Sequence, residues 1–189
     1  MKKAEIRNLF LSQRQGLATE QIQELDHEIL NHFRELNLSG VQYLHIFLPI
    51  LAKKEVNTYA IAAWLKENHP QIEVVLSKSN FEEHTLSHFI WNEQTQLAEN
   101  KWGITEPQNG TKIRAAELDM VLVPLLGFDE RGHRVGYGKG FYDRFLAKCN
   151  PKIQKIGLSL FEPVAQIDDI SDFDIPLDAC ITPNRIWYF

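Results

Sequence analysis

A chain of 189 residues with 44% apolar and 24% charged side chains has the make-up of a globular protein long enough to bury its own core without staples. Its formal charge of −5 excludes a general electrostatic footprint for nucleic acid or anionic membrane, so an anionic ligand must be met by local positive charge. Two cysteines, Cys149 and Cys180, without a Cys-x-x-Cys pair or histidines at zinc spacing, exclude a disulfide framework and a structural zinc site; the N-terminus, interrupted by charge, has no signal-peptide core, which leaves the cytoplasm as the expected compartment.

There is no internal repeat and no low-complexity tract, so residues 1–189 read as one continuous domain. Residues 3–15 mix good helix formers with an Ile6, Leu9, Phe10 stripe, which predicts a first helix. A second is predicted from about Thr19, with Ile22, Leu25, Ile29, Phe33 and Leu36 at helical spacing and Ser39-Gly40 closing it. "VQYLHIFLPI", residues 41–50, is β-branched and aromatic enough for a strand, stopped by Pro49. A helix from about Thr58 to His69 is halted by Pro70, and "IEVVLS" is the next strand. "LDMVLVPLLGF" follows, its nearly unbroken apolar run from Leu118 to Val123 predicting a central strand covered on both faces. "IQKIGLSLF" and "DACIT" supply two more. Strands separated by helices predict an α/β, three-layer αβα domain of Rossmann-like type with a largely parallel central sheet.

Between the strand ending near Val123 and a helix starting near Gly140 lies a connection much longer than the usual βα loop of about 2–6 residues, placed where ligands of open α/β sheets bind. It contains "DERGHRVGYGKGFYDRF", with Gly136, Gly138 and Gly140 on alternate positions. Glycine permits positive φ and lets backbone N–H groups converge on an anion with no Cβ in the way, and the following helix turns its free N–H groups to the same place. From Asp129 to Lys148, Arg131, Arg134, Lys139, Arg144 and Lys148 outnumber Asp129, Glu130 and Asp143, so the segment is locally positive and reads as a phosphate site. It is neither a P-loop, lacking Ser/Thr after Lys139-Gly140, nor a Rossmann fingerprint, since Phe141 stands where the last glycine would be. A carboxylate at Asp143 beside a phosphate cradle is repulsive unless a cation lies between them, and magnesium suits one or two carboxylates plus phosphates and water. The ordinary alternative is a first-turn dipole partner or a surface pair.

The segment "VPLLGFDERGHRVGYGKGFYDRFL" resembles the signature of the 5-formyltetrahydrofolate cyclo-ligase family. "KAEIR" at 3–7, the end of "FLPILAKKEVNT", "WGITEP" at 102–107 and "DFDIPLDACIT" at 172–182 are similar to further family elements in the same order, so the resemblance runs from end to end. It implies ATP- and Mg²⁺-dependent cyclisation of 5-formyltetrahydrofolate to 5,10-methenyltetrahydrofolate with release of ADP and phosphate. It places Lys3, Arg7 and the run Arg134, Val135, Gly136, Tyr137, Gly138, Lys139, Gly140, Phe141, Tyr142 at the nucleotide, with Lys139, Arg134 and Tyr142 catalytic. It puts Leu48, Glu55 and Tyr142 at the folate, and Asp143 with Asp174 at magnesium. The chain departs from the family's pattern by extra residues among "LAKK" before Glu55 and by Phe141 where tyrosine is frequent.

Taken singly, several of these residues have plainer readings: a solvated helix charge for Arg7, a helix-leading acid for Glu55, turn acids for Asp174 and Asp178. Trp102 is read as a packing residue, and the histidines are given no catalytic part. The alternative to an enzyme is a non-catalytic folate- or nucleotide-binding relative of the same fold. No nucleic-acid or membrane partner is expected, and the chain is expected to act as a monomer.

Overall fold

The apolar run from Leu118 becomes the centre of the sheet: Met120, Val121, Leu122 and Val123 are fully buried, because helices cover one face and loops, a hairpin and a short helix cover the other. The computed structural model describes all 189 residues. In chain order its elements are α1 (Lys3–Gly16), α2 (Thr19–Phe33), β1 (Tyr43–His45), α3 (Thr58–Asn68), β2 (Glu73–Asn80), β3 (Thr85–Ile90), β4 (Leu97–Glu99), β5 (Thr105–Pro107), β6 (Lys112–Ile113), β7 (Met120–Pro124), β8 (Gly127–Phe128), β9 (Arg134–Val135), α4 (Phe141–Leu146), β10 (Gln154–Leu158), β11 (Ala179–Ile181) and β12 (Ile186–Tyr188).

Eight strands form the main sheet in the order β12-β11-β10-β7-β1-β2-β3-β6. The inner five, β11-β10-β7-β1-β2, are parallel. Antiparallel β3 and β6 extend one edge and antiparallel β12 closes the other. The α/β expectation with a largely parallel centre is therefore met. The antiparallel edges and the separate β4–β5 and β8–β9 hairpins are additions to it.

Helices α2 and α3 bury Ile29, Phe33, Ile61 and Leu65 against Leu44, Leu122 and Ile156 on one face. The other face is thinner, with Phe145 and Leu146 of α4 meeting Val121, Val123 and Cys180. Helix α1 stands apart on the β8–β9 hairpin through Ile6, Phe10, Leu126 and Val135. This approach is close: a Cβ on Gly127 would come within 2.5 Å of the Phe10 ring, so only glycine lets α1 lie this near. The three N-terminal helices have local start signals. Glu5 accepts the Lys2 N–H, Gln21 accepts the Ala18 N–H and Asn57 accepts the Tyr59 N–H, each satisfying a donor that the helix cannot.

Several boundaries shift. Of residues 41–50 only Tyr43–His45 joins the ladder, and α2 ends at Phe33, leaving Leu36 in a following turn. The long apolar run breaks after Pro124, and its Gly127-Phe128 end pairs with β9 instead of the main sheet. No helix is long and apolar enough to cross a membrane.

Candidate active site

The β8–β9 hairpin carries the chain from the C-terminal end of β7 into residues 136–140, and this fixes the glycine loop beside the sheet. Only Gly138 and Gly140 have positive φ, +84° and +66°; Gly136 does not, so it contributes lack of bulk and not left-handed backbone. The N–H groups of residues 136 to 140 find no acceptor within the protein. Consecutive unpartnered N–H groups in such a turn form an anion-binding concavity.

Helix α1 closes the loop from below. Arg7 donates from Nε to the Gly136 carbonyl at 3.0 Å, and its guanidinium would lie 3.2 Å from a Cβ on Gly138. Lys3, one turn earlier, forms an ion pair with Asp174. Arg7 is thus a bound structural cation beneath the loop and not a solvated helix charge. Lys139 is exposed at the cleft mouth, while Arg134 is held inside by the Ile175 carbonyl and by Asp143 Oδ1 at 2.7 Å. Burial pulls the Arg134 pKa down, and Asp143 opposes that shift.

Lys3, Arg7, residues 134–140, Asp143 and Asp174 line one cleft of about 360 Å³ together with Leu48, Glu55, Phe141 and Tyr142, so every residue that the resemblance assigned to a ligand is brought to it, whereas Arg131, Arg144 and Lys148 of the locally positive segment are not. Glu55 is only 8% exposed. Its Oε1 accepts from the Tyr137 hydroxyl at 2.6 Å and its Oε2 from the Ile50 N–H at 2.8 Å. The residues among "LAKK" that the sequence marks as extra lie directly before Glu55, and the second contact spans them. They fold into a single 3₁₀ turn, Leu51–Lys53, followed by Lys54 in left-handed conformation, and Glu55 bonds across the base of that bulge. Lys54 pins the bulge to α1 through the Gln15 and Leu17 carbonyls, and Lys53 Nζ sits 4.0 Å from the centre of the Tyr137 ring.

Both tyrosines are kept protonated. Burial first, and the charge of Glu55 second, push the Tyr137 and Tyr142 phenols well above their ordinary range, so each can donate a hydrogen bond but neither serves as a base near neutral pH.

Asp143 uses Oδ1 for Arg134 and the Ile175 N–H, and Asp174 uses Oδ2 for Lys3 and the Ser171 N–H. One oxygen of each lies outside these bonds, and both residues line the cleft. No group of three His, Cys, Asp or Glu residues is arranged to hold a metal by itself. Two such oxygens fit a magnesium ion that draws its other ligands from phosphates and water, so this donor set is compatible with the ion.

Three features escape sequence reading. Trp102 is 56% exposed and lines the cleft, tilted against Phe81 at 5.6 Å between ring centres, and Phe81 meets Phe141 edge-on at 5.4 Å. It is a wall residue, correcting its reading as core packing, because the β4–β5 hairpin holds it out over the cavity. Arg14 of α1 is 1% exposed, donates to the Leu125 carbonyl at 2.8 Å and leaves Nε and Nη1 unpaired. Its charge acts on the Tyr137 phenol and so backs the Tyr137–Glu55 pair. The third is a chain of hydrogen bonds behind the cleft, His45 Nε2 to Ser77 Oγ at 2.7 Å and Ser77 Oγ to His88 Nδ1 at 2.9 Å. Only Arg14 carries a sequence hint, as a charge that recurs on the Ile6, Phe10 face of α1.

Residues 1–183 match the 5-formyltetrahydrofolate cyclo-ligase family. The chain belongs to that family. Its cyclo-ligase relatives include the 5-formyltetrahydrofolate cyclo-ligase of Escherichia coli (strain K12), 34% identical over 100 residues; that alignment covers 51% of this chain and 55% of the relative, about half the relative's length. The Haemophilus influenzae cyclo-ligase is 27% identical over 182 residues, covering 93% of this chain and 95% of that one. Among solved structures, the 5,10-methenyltetrahydrofolate synthetase of Aquifex aeolicus superposes with a TM-score of 0.83 at 27% identity, covering 100% of this chain and 93% of the other. The cyclo-ligase fold therefore extends over the whole chain.

Proposed function

We propose that this protein is a 5-formyltetrahydrofolate cyclo-ligase, using ATP to close 5-formyltetrahydrofolate to 5,10-methenyltetrahydrofolate with release of ADP and phosphate. The observation that carries the reading is the meeting, in one cleft, of the unpartnered N–H groups of residues 136–140 with the buried Glu55–Tyr137 pair. The first suits a phosphate chain and the second the polar edge of a folate. The names of the relatives favour the same substrate class.

A formamide oxygen is a poor leaving group, so direct ring closure with loss of hydroxide is too slow near neutral pH. The reaction proceeds by transfer of the γ-phosphoryl group to the formyl oxygen, giving an N5-iminium phosphate. N10 attacks the activated carbon, loses its proton, and the C–O bond breaks as phosphate departs. For the first step the chain supplies positioning and positive charge: the loop N–H groups and Lys139 face the moving phosphoryl group, and Arg7 holds the loop from beneath. Magnesium, held by the spare oxygens of Asp143 and Asp174, would neutralise phosphate charge. Arg134 acts mainly by fixing Asp143. Glu55, fixed by Tyr137 and Ile50, accepts from the folate's N–H edge, and Leu48 provides apolar wall. The Phe81–Trp102–Phe141 wall keeps water from the activated intermediate. One chain lines the whole cleft, so the reading requires no second copy, and the cytoplasm, where folate and ATP meet, is the compartment that suits it.

Mixing the protein with Mg-ATP and 5-formyltetrahydrofolate and following near-ultraviolet absorbance tests this, because the product's N–CH=N⁺ unit is newly conjugated. Growth of that absorbance with matching ADP release is expected. Ligand binding without ADP release would instead indicate a non-catalytic relative, and ATP consumption independent of the folate would sink the assignment.

A further inference from the structure

A second cavity, of about 310 Å³, lies between β3, β6 and α4. Four cations line it, Lys112, Arg114, Arg144 and Lys148, and no carboxylate does. Arg114 is matched by Glu117 at 2.9 Å, whereas Lys112, Arg144 and Lys148 have no acidic partner. In a protein whose acids outnumber its bases 25 to 20, three solvent-exposed cations without an acidic partner around one cavity make a local positive field that a bound anion would meet.

Two details make this more than a patch of mobile lysines. Arg144 is fixed by neutral acceptors, donating from Nε to the His84 carbonyl at 2.9 Å and from Nη2 to the Lys139 carbonyl. These bonds set its position without cancelling its charge, so little ordering remains for a ligand to impose. The second detail is His88, 5% exposed, which lines the cavity beside Phe145. Its Nδ1 is engaged by Ser77 Oγ at 2.9 Å and its other ring nitrogen has no hydrogen-bond partner. Burial, then the charge of Lys148, lower its pKa to about 4, so at neutral pH the ring is uncharged and adds a polar contact.

We propose that this cavity is a binding site for a compact polyvalent anion bearing phosphate or carboxylate groups, separate from the cleft described above. The two cavities share only Leu86 among their linings. The inference does not depend on the cyclo-ligase reaction.

Backbone-amide spectra of isotope-labelled protein, titrated with inorganic pyrophosphate at an ionic strength of about 0.15 M to screen distant charges, test it site by site. Saturable shifts are expected at Ser87, His88, Ile113 and Phe145. In the double variant Lys112→Gln/Lys148→Gln their midpoint should rise at least about tenfold, with two charge-assisted contacts gone, while any shifts of Gly138 and Gly140 remain and report an intact fold. Citrate runs as a parallel arm: tighter binding of pyrophosphate assigns the site to phosphates, tighter binding of citrate to carboxylates, and either upholds it. Shifts confined to residues 136–140, shifts at the cavity that never saturate, or an unchanged midpoint in the double variant overturn it.

Discussion

The Tyr137 hydroxyl donates to Glu55 Oε1 at 2.6 Å and so ties the glycine loop to the turn that precedes α3. With the Ile50 N–H on its other oxygen, a buried carboxylate is oriented by donors from two separate segments. The two sides of the cleft, which the proposed function assigns to phosphate and to folate, are mechanically joined through this pair.

Tyr137→Phe keeps the ring and the backbone N–H and removes only the hydroxyl. A buried carboxylate deprived of one donor should cost about 1–3 kcal/mol of stability, read as a lower urea midpoint. In the proposed reaction the folate KM should rise more than the ATP KM. A rise confined to the ATP KM would mean that Glu55 does not face the folate.

Lys139→Met keeps much of the stem and removes the ammonium from an exposed loop residue. In the proposed reaction turnover should drop at least about tenfold, since charge on the moving phosphoryl group would lose a flexible cation. The urea midpoint should stay within about 0.5 kcal/mol of the parent, as for other surface changes. Parental turnover in the folded variant would remove Lys139 from the mechanism.

For Asp143 and Asp174 the structure supplies a competing role, since Arg134 and Lys3 already balance them. If both also share one ion, Asp143→Asn and Asp174→Asn should each raise the magnesium needed for half-maximal rate, be partly rescued by excess magnesium, and combine to less than the sum of the single effects. Activity against free magnesium for the four proteins checks this. Additive defects with unchanged magnesium dependence would leave the aspartates as ion-pair partners only.

Asp26 of α2 accepts the Asn57 N–H at 3.0 Å ahead of α3, and burial raises its carboxyl pKa from 3.8 to about 6, against the lowering effect of that bond. A folded pKa above the unfolded one favours folding when the group is protonated. The benefit is complete below about pH 4 and is lost as pH rises through about 6. Asp26→Asn keeps a neutral acceptor, so above pH 6 it should stabilise the protein by about 1–2 kcal/mol, discounted for partial exposure. The gain should vanish near pH 4. Equal changes in urea midpoint at pH 4 and pH 7.5 would show that the burial of its charge is not what matters.

What the sequence by itself determined was what local pattern can encode. The unbroken apolar run of β7 could be soluble only as a covered strand, and the alternate glycines at 136, 138 and 140 with Lys139 and Asp143 pointed to an anion loop, with a plain surface turn as the alternative. Family-like motifs spread from Lys3 to Asp174 marked Lys3, Arg7, Leu48, Glu55 and Asp174 as well, but not cleft residues such as Ser77 and Phe81. The antiparallel edge strands were illegible because β3 has a weak alternation of exposure and β6 is two residues long, and β6 becomes a strand only by meeting β3 across the intervening β4–β5 hairpin. Tertiary structure alone decided that Trp102 stands out over the cleft, that the bulge before Glu55 closes on Ile50, and that Arg14 is buried behind Tyr137. Each depends on which distant surface a side chain meets. Residue type and spacing state how a segment can fold, whereas burial and charge pairing are properties of the neighbours that the packed chain brings to it.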